Sequence, residues 1–499
     1  MTKQEKTRSY SHILKSTGLF GGVQVLSILV GIVRNKLVAL ILGPQGMGLV
    51  SLFNSTTLLV SNTTNFGIPM SAVKNISEEY DNGNEAQMQH AISVVRYWSI
   101  LTAILGTLLC IILSPFLSWF TFSWNGHTLH FICLSPVIGL TAITGGELAI
   151  LKGVRQLKHL ASISIYSVIA ALVISVPIYY FFGDAGIVPS LVLMALSQML
   201  LTVFYSYHLF PLKFDSKKKD LFNDGLSMIK LGTAFVISGL LSSGADFLIR
   251  SYINNVALID TVGLYNAGMM MTMTYVSMVF AAMETDYFPR LSGVSHLGVT
   301  FNTTVNRQIE VMLLLVSPML VAFMILLPVL VPLFYSDKFL PVIGMTQIIV
   351  FAMYFRALKL PVEYIPLAKG DSLSYLFLEG TYNVVLLLLV VLLFRHFGLR
   401  GAGMAIAFAA VFDFVMVFAY DKWKYGYVVS TNVLLYASIQ LPIGALAYGV
   451  TYIDNPLLYW VTGGLLFFVS LMVSLTILRS KSSLWSSLKA KIKAKLGRD

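Results

Sequence analysis

The sequence predicts an all-α polytopic membrane protein of about 14 transmembrane helices, in two six-helix bundles related by pseudo-twofold symmetry plus two C-terminal helices. Of its 499 residues, 57% are hydrophobic and only 11% are charged, and the mean hydropathy is +0.78. A soluble domain of this length needs more charge to cover its surface. Apolar runs of about 20 residues recur along the whole chain, whereas the strands of a membrane barrel would be about ten residues of alternating character.

Each predicted span is one of these apolar runs. The first run precedes Gly43 and Pro44, and the glycines Gly183 and Gly398 follow the fifth and eleventh spans. The linkers between the runs are short, so none of them has room for a soluble catalytic domain. The predicted spans are 17–42, 49–72, 92–113, 129–151, 160–182, 187–209, 231–252, 263–285, 309–334, 342–366, 373–394, 401–420, 431–452 and 457–478.

The basic residues set the predicted orientation. With the N-terminus inside, most of the 34 Lys and Arg residues fall on the N-terminal arm, the inner loops and the C-terminal tail. Cytoplasmic segments of membrane proteins carry this excess, so we expect an even number of spans with both termini in the cytoplasm. The net charge of +11 then reflects inside-facing anchors, and no nucleic-acid partner is expected.

The loops and basic segments divide the chain into five parts. We expect an N-terminal six-helix bundle over 1–212, a cytoplasmic amphipathic connector over 213–230, a C-terminal six-helix bundle over 231–425, helices 13 and 14 over 426–479, and a basic amphipathic tail over 480–499. The connector and the tail mix lysines with regularly spaced apolar residues, as do helices that lie on anionic membranes. Membrane lipids are therefore expected partners.

An internal repeat supports the prediction of two bundles. The similar segments Phe182–Gly186 and Phe397–Gly401 lie 215 positions apart, and Gly48 and Gly263 have the same separation at the start of spans two and eight. The shift covers six spans, so both bundles would have the same orientation about an axis along the membrane normal.

Positive charges inside the spans are the strongest functional signal. Arg34, Lys36, Arg250, Arg356 and Lys359 all fall within predicted spans. A cation at the centre of a membrane helix costs about 2.5–3.5 kcal/mol on insertion scales, so such residues usually face a watery cavity or a partner. No comparable set of carboxylates balances them in the sequence, which indicates a cavity that binds an anion.

Arg34 is the sharpest of these candidates. It precedes Gly43 by about 12 Å of helix, which is deep for an arginine that only snorkels to the outer surface. One repeat further along, position 249 adjoins Arg250. We therefore expect arginines of spans one and seven at similar depth, around a substrate site between the bundles.

The other cations leave two interpretations open. Arg250 follows Asp246 by four residues, and Lys359 precedes Glu363 by four, so each pair can form a structural ion pair along its helix. Either pair could also open when an anion arrives. Arg356 shares a helical face with Lys359, and its guanidinium suits bidentate phosphate binding.

Polar residues of the second span complete the predicted substrate site. Asn62 and Asn65 share one helical face with Ser51 and Ser55, and such a face cannot contact lipid. Amides and hydroxyls suit a sugar-bearing headgroup, although hydrogen bonding between helices explains them equally well.

Carboxylates in or near the spans are candidates for coupling transport to H+ or Na+. We single out Asp246, Glu363 and Asp413, of which Asp413 is closest to the middle of a span. No nucleotide-binding loop, no catalytic constellation and no metal-ligand spacing occurs in the sequence. We therefore expect a protein that is not an enzyme and needs neither a cofactor nor a metal.

Five short segments carry a resemblance to a known family. They are Leu42–Gly48, Val262–Asn266, Phe288–Ser292, Leu367–Asp371 and Phe397–Gly401. In their order and spacing the chain resembles the oligosaccharide flippases, or O-antigen translocases, of the multidrug/oligosaccharidyl-lipid/polysaccharide exporter superfamily. The resemblance extends over nearly all of spans one to twelve.

The resemblance implies two six-helix bundles, two extra helices and a central cavity. It also implies a substrate, a sugar chain joined by pyrophosphate to a polyprenyl lipid, which is moved from the inner to the outer leaflet by alternating access. Related lipid II flippases have a first-helix arginine in the cavity, and Arg34 occupies the corresponding place. The expected location is the bacterial inner membrane, with the O-antigen and lipopolysaccharide machinery, including a glycan polymerase, as possible partners.

Two alternatives remain open at this stage. A multidrug exporter of the same superfamily would need a carboxylate-rich cavity for organic cations, whereas this sequence places arginines in its spans. A membrane glycan polymerase or ligase would use residues of the outer face, often on a sizeable outer loop, and the outer loops here are short.

Overall fold

The computed structural model describes residues 3–123, 126–212, 218–276, 280, 287, 290–294 and 298–481. These residues form helices and no β-strand, which confirms the all-α prediction. Nine helical stretches of this part of the chain are long and apolar enough to cross a membrane. Several of them contain two of the predicted spans.

The helices follow the order of the predicted spans, with one additional short helix after the second. They are α1 (Lys3–Thr64), α2 (Ile68–Asp81), α3 (Glu85–Phe122), α4 (Thr128–Gly153), α5 (Leu157–Phe182), α6 (Ile187–Leu209), α7 (Lys218–Val256), α8 (Ile259–Met269), α9 (Val299–Phe334), α10 (Ile343–Ala368), α11 (Ser372–Tyr425), α12 (Thr431–Val450) and α13 (Pro456–Lys481). A π-helical segment, Met270–Val276, continues α8, and 3-10 turns at Gly183–Gly186 and Asp337–Val342 precede α6 and α10.

Glycines in unusual backbone conformations divide the long helices into spans. Gly43 has φ 65° and ψ −168° inside α1, and Gly398 has φ 56° and ψ −136° inside α11. Gly183, between α5 and α6, has nearly the same values as Gly398, φ 55° and ψ −135°. Residues with a Cβ avoid this region, so glycine is required at each break. Each break separates two predicted spans.

The predicted end of the second span, residue 72, is wrong. Helix α1 ends at Thr64, because Phe66 (φ 49°) and Gly67 (φ 69°) turn the backbone into the left-handed region. The Asn65 side-chain oxygen accepts a hydrogen bond of 2.9 Å from the Gly67 amide and closes this turn. Pro69 then stands in the first turn of α2, where a missing amide hydrogen has no cost.

The internal repeat recurs in the helix boundaries. Helix α10 begins and ends 215 positions after α4, and the first part of α11, 372–397, has the bounds of α5 at the same offset. A Cβ on Gly186 would lie 2.9 Å from the Ile178 carbonyl oxygen, and one on Gly401 would meet the Leu393 carbonyl oxygen, again 215 positions later. The same close contact between a glycine and the backbone of the preceding span therefore occurs twice.

The chain forms two compact units. Unit 1 comprises Met1–Asn266 and Leu333–Phe339, and unit 2 comprises Ala267–Pro332 and Leu340–Asp499. Helix α7 belongs to unit 1 in this division, whereas the sequence places its span in the C-terminal bundle. The predicted bundle boundaries at 212, 231, 425 and 479 stay a prediction.

The predicted connector leads directly into α7. From Lys218 onward the helix runs without a break to Val256, and its first turns pack on α3 of the same unit. The Trp98 indole donates a 3.1 Å hydrogen bond to the Leu221 carbonyl and stacks on Phe222. Binding of these residues to membrane lipid stays a prediction. Residues 213–217, and the predicted tail from residue 482, lie outside the described residues.

Candidate functional site

Arg34 lies half-buried on α1 and contacts α5 and α6 of unit 1. Its Nε donates a 3.0 Å hydrogen bond to the Ser175 hydroxyl, and its Nη2 lies 3.3 Å from the Met194 sulfur. The Tyr179 hydroxyl, which accepts a 2.6 Å hydrogen bond from Ser190, also interacts with the guanidinium. Among the described residues, no carboxylate forms an ion pair with Arg34, so its partners there are neutral.

Arg250 has a carboxylate partner. Its Nη2 lies 2.9 Å from the Asp246 carboxylate, which confirms the spacing argument for an ion pair along α7. The other terminal nitrogen donates to Ser51 of α1 and, at 3.1 Å, to Asn266 of α8. The side chain is only 14% exposed. Arg250 therefore joins three helices of unit 1 through its charge and its hydrogen bonds.

The polar face of the second span divides into residues with different roles. Ser51 binds Arg250, whereas Ser55 donates to the Leu52 carbonyl of its own helix. Asn65 closes the turn after α1, as described above. Asn62 lies half-buried beside Gly239 of α7, at 3.9 Å from the position of a Cβ there.

Lys359 lies at the centre of a buried cluster in unit 2. Its ammonium is 2.8 Å from the Glu363 carboxylate, as the four-residue spacing suggested, and 2.6 Å from the Asp413 carboxylate of α11. It also lies 5.6 Å from the centre of the Tyr382 ring. Glu379 of α11 interacts electrostatically with the same group and accepts a side-chain hydrogen bond from Asn383. Lys359 thus bridges α10 and α11.

Arg356 lies one turn from Lys359, and its described partners are a thioether and an aromatic ring. Its Nη1 is 3.1 Å from the Met273 sulfur, and its Cζ is 6.0 Å from the centre of the buried Phe280 ring. Met273 belongs to the π-helical segment after α8. Such segments are rare in proteins, and those that occur are frequently found at functional sites. Hydropathy and residue spacing gave no signal for this segment.

A buried ion pair in unit 1 was not predicted from the sequence. Arg96 of α3 binds Glu147 of α4 with two hydrogen bonds, 2.9 and 3.3 Å long, and the two side chains are 7% and 3% exposed. The Ser206 hydroxyl of α6 donates to the same carboxylate at 2.5 Å, and the Arg96 guanidinium covers the Tyr207 ring at 4.1 Å. Nothing in the residue spacing indicates this pair, because 51 residues separate Arg96 from Glu147.

A polar cluster joins the two ends of α11, and its acidic member, Asp371, lies just outside the membrane-spanning stretch Ser372–Tyr425. Asp371 precedes the helix and accepts hydrogen bonds from the Ser374 amide, the Tyr425 hydroxyl and the Lys424 ammonium, the last at 2.6 Å. The hydrogen bond from Lys424 holds the pKa of Asp371 well below its usual range. The Leu367–Asp371 motif therefore ends in a helix cap with a fixed negative charge.

The predicted site residues form three groups. Arg34 stands with neutral groups, Arg250 with Asp246, and Lys359 with Glu363 and Asp413. The first two groups belong to unit 1 and the third, with Arg356, belongs to unit 2. A guanidinium with neutral partners is available to an anionic ligand, whereas one held by a carboxylate must first exchange that partner.

Solved transporters share this fold at low sequence identity. The lipid II flippase MurJ in an inward closed conformation has a TM-score of 0.69 and 14% identity, covering 93% of this chain and 99% of that chain. An inward-facing multidrug resistance transporter of the MATE family has a TM-score of 0.65 and 16% identity, covering 80% and 94%. A MOP superfamily transporter from Pyrococcus furiosus has a TM-score of 0.58 and 15% identity, covering 83% and 96%.

Comparison with curated proteins found no match. A family model described as "Polysaccharide biosynthesis protein" matches residues 37–344, which is more than half of the chain. This match and the shared transporter fold agree with the resemblance stated from the sequence. The chain is a multi-pass membrane protein with the fold of the MOP superfamily, and it belongs to the polysaccharide biosynthesis protein family.

Proposed function

We propose that this protein is a flippase that moves a polyprenyl-pyrophosphate-linked oligosaccharide, such as an O-antigen repeat unit, from the inner to the outer leaflet by alternating access. Family membership and the transporter fold support this function. The headgroup of such a lipid carries negative charge and many hydroxyls. Moving it bare through hydrocarbon would strand each of these polar groups, so the protein must supply their partners.

The observation that carries the proposal is a pair of arginine–methionine contacts. Arg34 donates toward Met194 in unit 1, and Arg356 donates toward Met273 in unit 2. A thioether is a weak acceptor, so phosphate oxygens would bind either guanidinium more strongly. Each unit thereby offers one arginine whose present partners are easily replaced by a pyrophosphate.

The remaining predicted residues take supporting roles in this proposal. Arg250 and Lys359 already bind carboxylates, so they act as switches that exchange a carboxylate for the anionic headgroup. Asn62 offers an amide to sugar hydroxyls. Asn65 acts through the turn that it closes after α1, and not through direct contact with the substrate.

We assign the coupling of transport to an ion to the carboxylates that bind Arg250 and Lys359. Protonation of Asp413 or Glu363 would remove one of the two negative partners of Lys359, and protonation of Asp246 would release Arg250. Each event changes a buried charge pair and so changes which conformation is favoured. H+ suits this arrangement because a proton alone breaks each pair.

Transport in proteoliposomes tests the proposal. The protein is reconstituted with a fluorescent polyprenyl-pyrophosphate oligosaccharide, and the label that reaches the opposite leaflet is quenched. Loss of a charge-assisted hydrogen bond costs about 1.5–3 kcal/mol, so Arg34→Ala and Arg356→Ala should slow transport roughly 10- to 100-fold. Arg34→Lys should have an intermediate rate, because lysine keeps the charge and loses the fork of donors.

A matched control separates this effect from a general loss of charge. Arg395 is an exposed arginine near the break in α11, and Arg395→Ala should transport at the wild-type rate. Wild-type rates for both Arg34→Ala and Arg356→Ala would contradict the phosphate-binding role. No transport by the wild-type protein would contradict the substrate class.

One observation favours a second candidate, a multidrug antiporter for organic cations. The unit 2 cluster contains three carboxylates, Glu363, Glu379 and Asp413, around Lys359. Carboxylates suit a cationic substrate, and MATE transporters share the fold. Efflux of a cationic dye from cells, abolished in Asp413→Asn and unaffected in Arg34→Ala, would favour this function over the flippase.

The cellular setting follows from the flippase proposal. We place the protein in a bacterial inner membrane, with both termini cytoplasmic and its product delivered to a glycan polymerase for polysaccharide or lipopolysaccharide assembly. Protease accessibility of tags at the two ends in inverted membrane vesicles tests the orientation. Cleavage of both tags is expected, and protection of either tag would overturn it.

A further inference from the structure

Asp421 in the last turn of α11 is a buried carboxyl that none of the roles above explains. Its exposure is 0%, and neither side-chain oxygen has a hydrogen-bond partner among the described residues. Its backbone carbonyl, in contrast, accepts hydrogen bonds from the Gly426 and Tyr427 amides that end the helix. The side chain alone is therefore left without polar contacts.

The surroundings of Asp421 disfavour a negative charge. Glu363 of α10 acts on it electrostatically and carries the same charge. The neighbouring hydroxyls of Tyr287 and Tyr427 are engaged elsewhere, with the Pro361 carbonyl at 2.7 Å and the Asn306 side-chain oxygen at 3.0 Å. The C-terminal end of a helix also repels an anion, because its carbonyl groups are negative. An ionised carboxyl without partners is far more costly in such a place than a neutral one.

Three cations of this region have other partners, and Lys422, the next residue along α11, is exposed. Lys359 binds Glu363 and Asp413, and Lys424 binds Asp371. Arg290, which acts on Tyr287, donates to the Gln308 side chain at 2.9 Å. No group of three or more acidic, histidine or cysteine side chains capable of holding a metal ion occurs in the described part of the chain. Binding a proton would neutralise Asp421 without any of these groups.

The repeat supplies an independent comparison. Asp421 lies 215 positions after Ser206, which is the offset that relates α4 to α10 and Gly183 to Gly398. Ser206 donates its hydroxyl to Glu147, so unit 1 has a neutral donor at this place. A protonated Asp421 would likewise be neutral and carry an O–H group. The acid in unit 2 differs from the serine in that it can also lose its proton.

We propose that Asp421 is a proton-binding site: the carboxyl is protonated in the conformation described here, and it releases the proton when water reaches this end of unit 2. A cavity of about 320 Å³ borders α11 residues on either side of Asp421, and we expect water to arrive through it. The cavity is lined by Phe418, Ala419, Lys422, Tyr427, Val428 and Val429. The site differs from the Asp246, Glu363 and Asp413 candidates, each of which acts by breaking an ion pair.

Infrared spectroscopy of the full-length protein in lipid nanodiscs tests the charge state. A protonated carboxyl has a C=O stretching band that an ionised one lacks. At pH 7 the wild type should show this band, and Asp421→Asn and Asp421→Ser should both lose one carboxyl of intensity. Asp454 is an exposed carboxyl, so the control Asp454→Asn should leave the pH 7 band unchanged. Superimposable spectra of the wild type and both Asp421 variants would overturn the proposal.

Thiol labelling tests the link between proton release and opening. Val417 lies one turn before Asp421 and is fully buried, so a cysteine there reacts only when this end opens. In Val417→Cys with Cys110 and Cys133 replaced, the labelling rate is divided by that of a free thiol at the same pH, because the thiolate is the reactive form. The corrected rate should rise with pH, by up to about tenfold per pH unit for one proton. Asp421→Asn in the same background should label slowly at every pH, and the same pH dependence as in the parent would overturn the proposal.

These measurements need no substrate, so they remain informative if the transport proposal fails. The variant Asp421→Ser installs the residue found at the equivalent position of unit 1 and gives a second non-titrating side chain if Asp421→Asn does not fold. Loss of pH-dependent labelling in either folded variant is the expected result.

Discussion

The repeated helices, α4–α6 in unit 1 and α10–α11 in unit 2, carry different buried charges. In unit 1, Glu147 is held by Arg96 and receives a hydrogen bond from Ser206, so the cation and the anion match. In unit 2, Lys359 is shared by two carboxylates, and the position of Ser206 is taken by Asp421. The Arg96–Glu147 cluster of unit 1 is therefore balanced, whereas the Lys359 cluster of unit 2 has an excess of acid.

This difference separates what the repeat preserves from what it varies. The backbone breaks at Gly183 and Gly398 have almost the same dihedral angles, so the course of the helices is preserved. The buried polar groups are not preserved. A balanced, fully hydrogen-bonded cluster holds its helices in one arrangement, whereas a cation with alternative partners permits two arrangements of similar energy. We therefore expect charge changes during transport to occur mainly in unit 2.

The largest expected effect comes from breaking the balanced pair. Glu147→Gln leaves the Arg96 guanidinium buried without its anion and should cost about 3–5 kcal/mol of stability. Glu363→Gln should cost clearly less, because Lys359 keeps Asp413 at 2.6 Å. The midpoint of thermal unfolding in detergent measures both effects.

A paired replacement is the control for this prediction. Replacing both members, with Arg96→Met and Glu147→Leu, removes the stranded charge and should recover much of the loss. Equal destabilisation by Glu147→Gln and Glu363→Gln would contradict the contrast between the balanced Arg96–Glu147 cluster and the acid-rich Lys359 cluster.

Most of the fold was predictable from the sequence, because helices and breaks are indicated by residues that lie close together in the chain. Apolar runs long enough to cross the membrane predicted the spans, and the Phe-Gly segments at 182 and 397 revealed the repeat. The predicted end of the second span was wrong because Phe66 adopts a left-handed conformation. An aromatic residue gives no sequence signal for this conformation. The apolar run 68–72 then continues as a separate helix.

Side-chain partners were predictable only where they lie one helical turn apart. The pairs Asp246–Arg250 and Lys359–Glu363 follow from four-residue spacing. The partners across helices do not, since Arg96 and Glu147 lie 51 positions apart and Lys359 and Asp413 lie 54 apart. Hydropathy and spacing do not encode such distances, which depend on how the helices pack. The methionine partners of Arg34 and Arg356 were missed for the same reason.

The backbone conformation that the two units share can be tested at the two helix breaks, Gly183 and Gly398. At Gly183 and Gly398 a Cβ would meet no atom within 4 Å, so substitution tests backbone strain alone. Alanine at either position should cost about 1–3 kcal/mol, and the two costs should be similar because the dihedral angles are similar. Thermal unfolding in detergent measures both variants.

A glycine in ordinary helical conformation provides the control. Gly449 also has open space around it, and Gly449→Ala in α12 should be neutral or slightly stabilising. If Gly183→Ala and Gly398→Ala differed by more than about 1.4 kcal/mol, which is a tenfold change in an equilibrium constant, the two breaks would not be energetically equivalent.

The smallest expected effect concerns the helix starts that differ between the units. Helix α5 begins after Gln156, whose side chain makes no cap, whereas the equivalent residue in unit 2, Asp371, caps α11 and binds Lys424. Asn is also a good capping residue, so Asp371→Asn removes the charge and keeps the cap. At pH 7 this variant should unfold at a slightly lower temperature than the wild type.

The pH dependence of this small effect identifies its cause. The pKa of Asp371 is lower in the folded protein than the value of about 3.9 expected for an unfolded chain. The stability from its charge is therefore complete above about pH 4 and is lost as the pH falls toward the folded-state pKa. The difference in unfolding temperature between wild type and Asp371→Asn should shrink between pH 6 and pH 3, and in a Lys424→Met background it should be small throughout. A difference that stayed constant with pH would assign the effect to the cap, and the two helix starts would then differ in hydrogen bonding and not in charge.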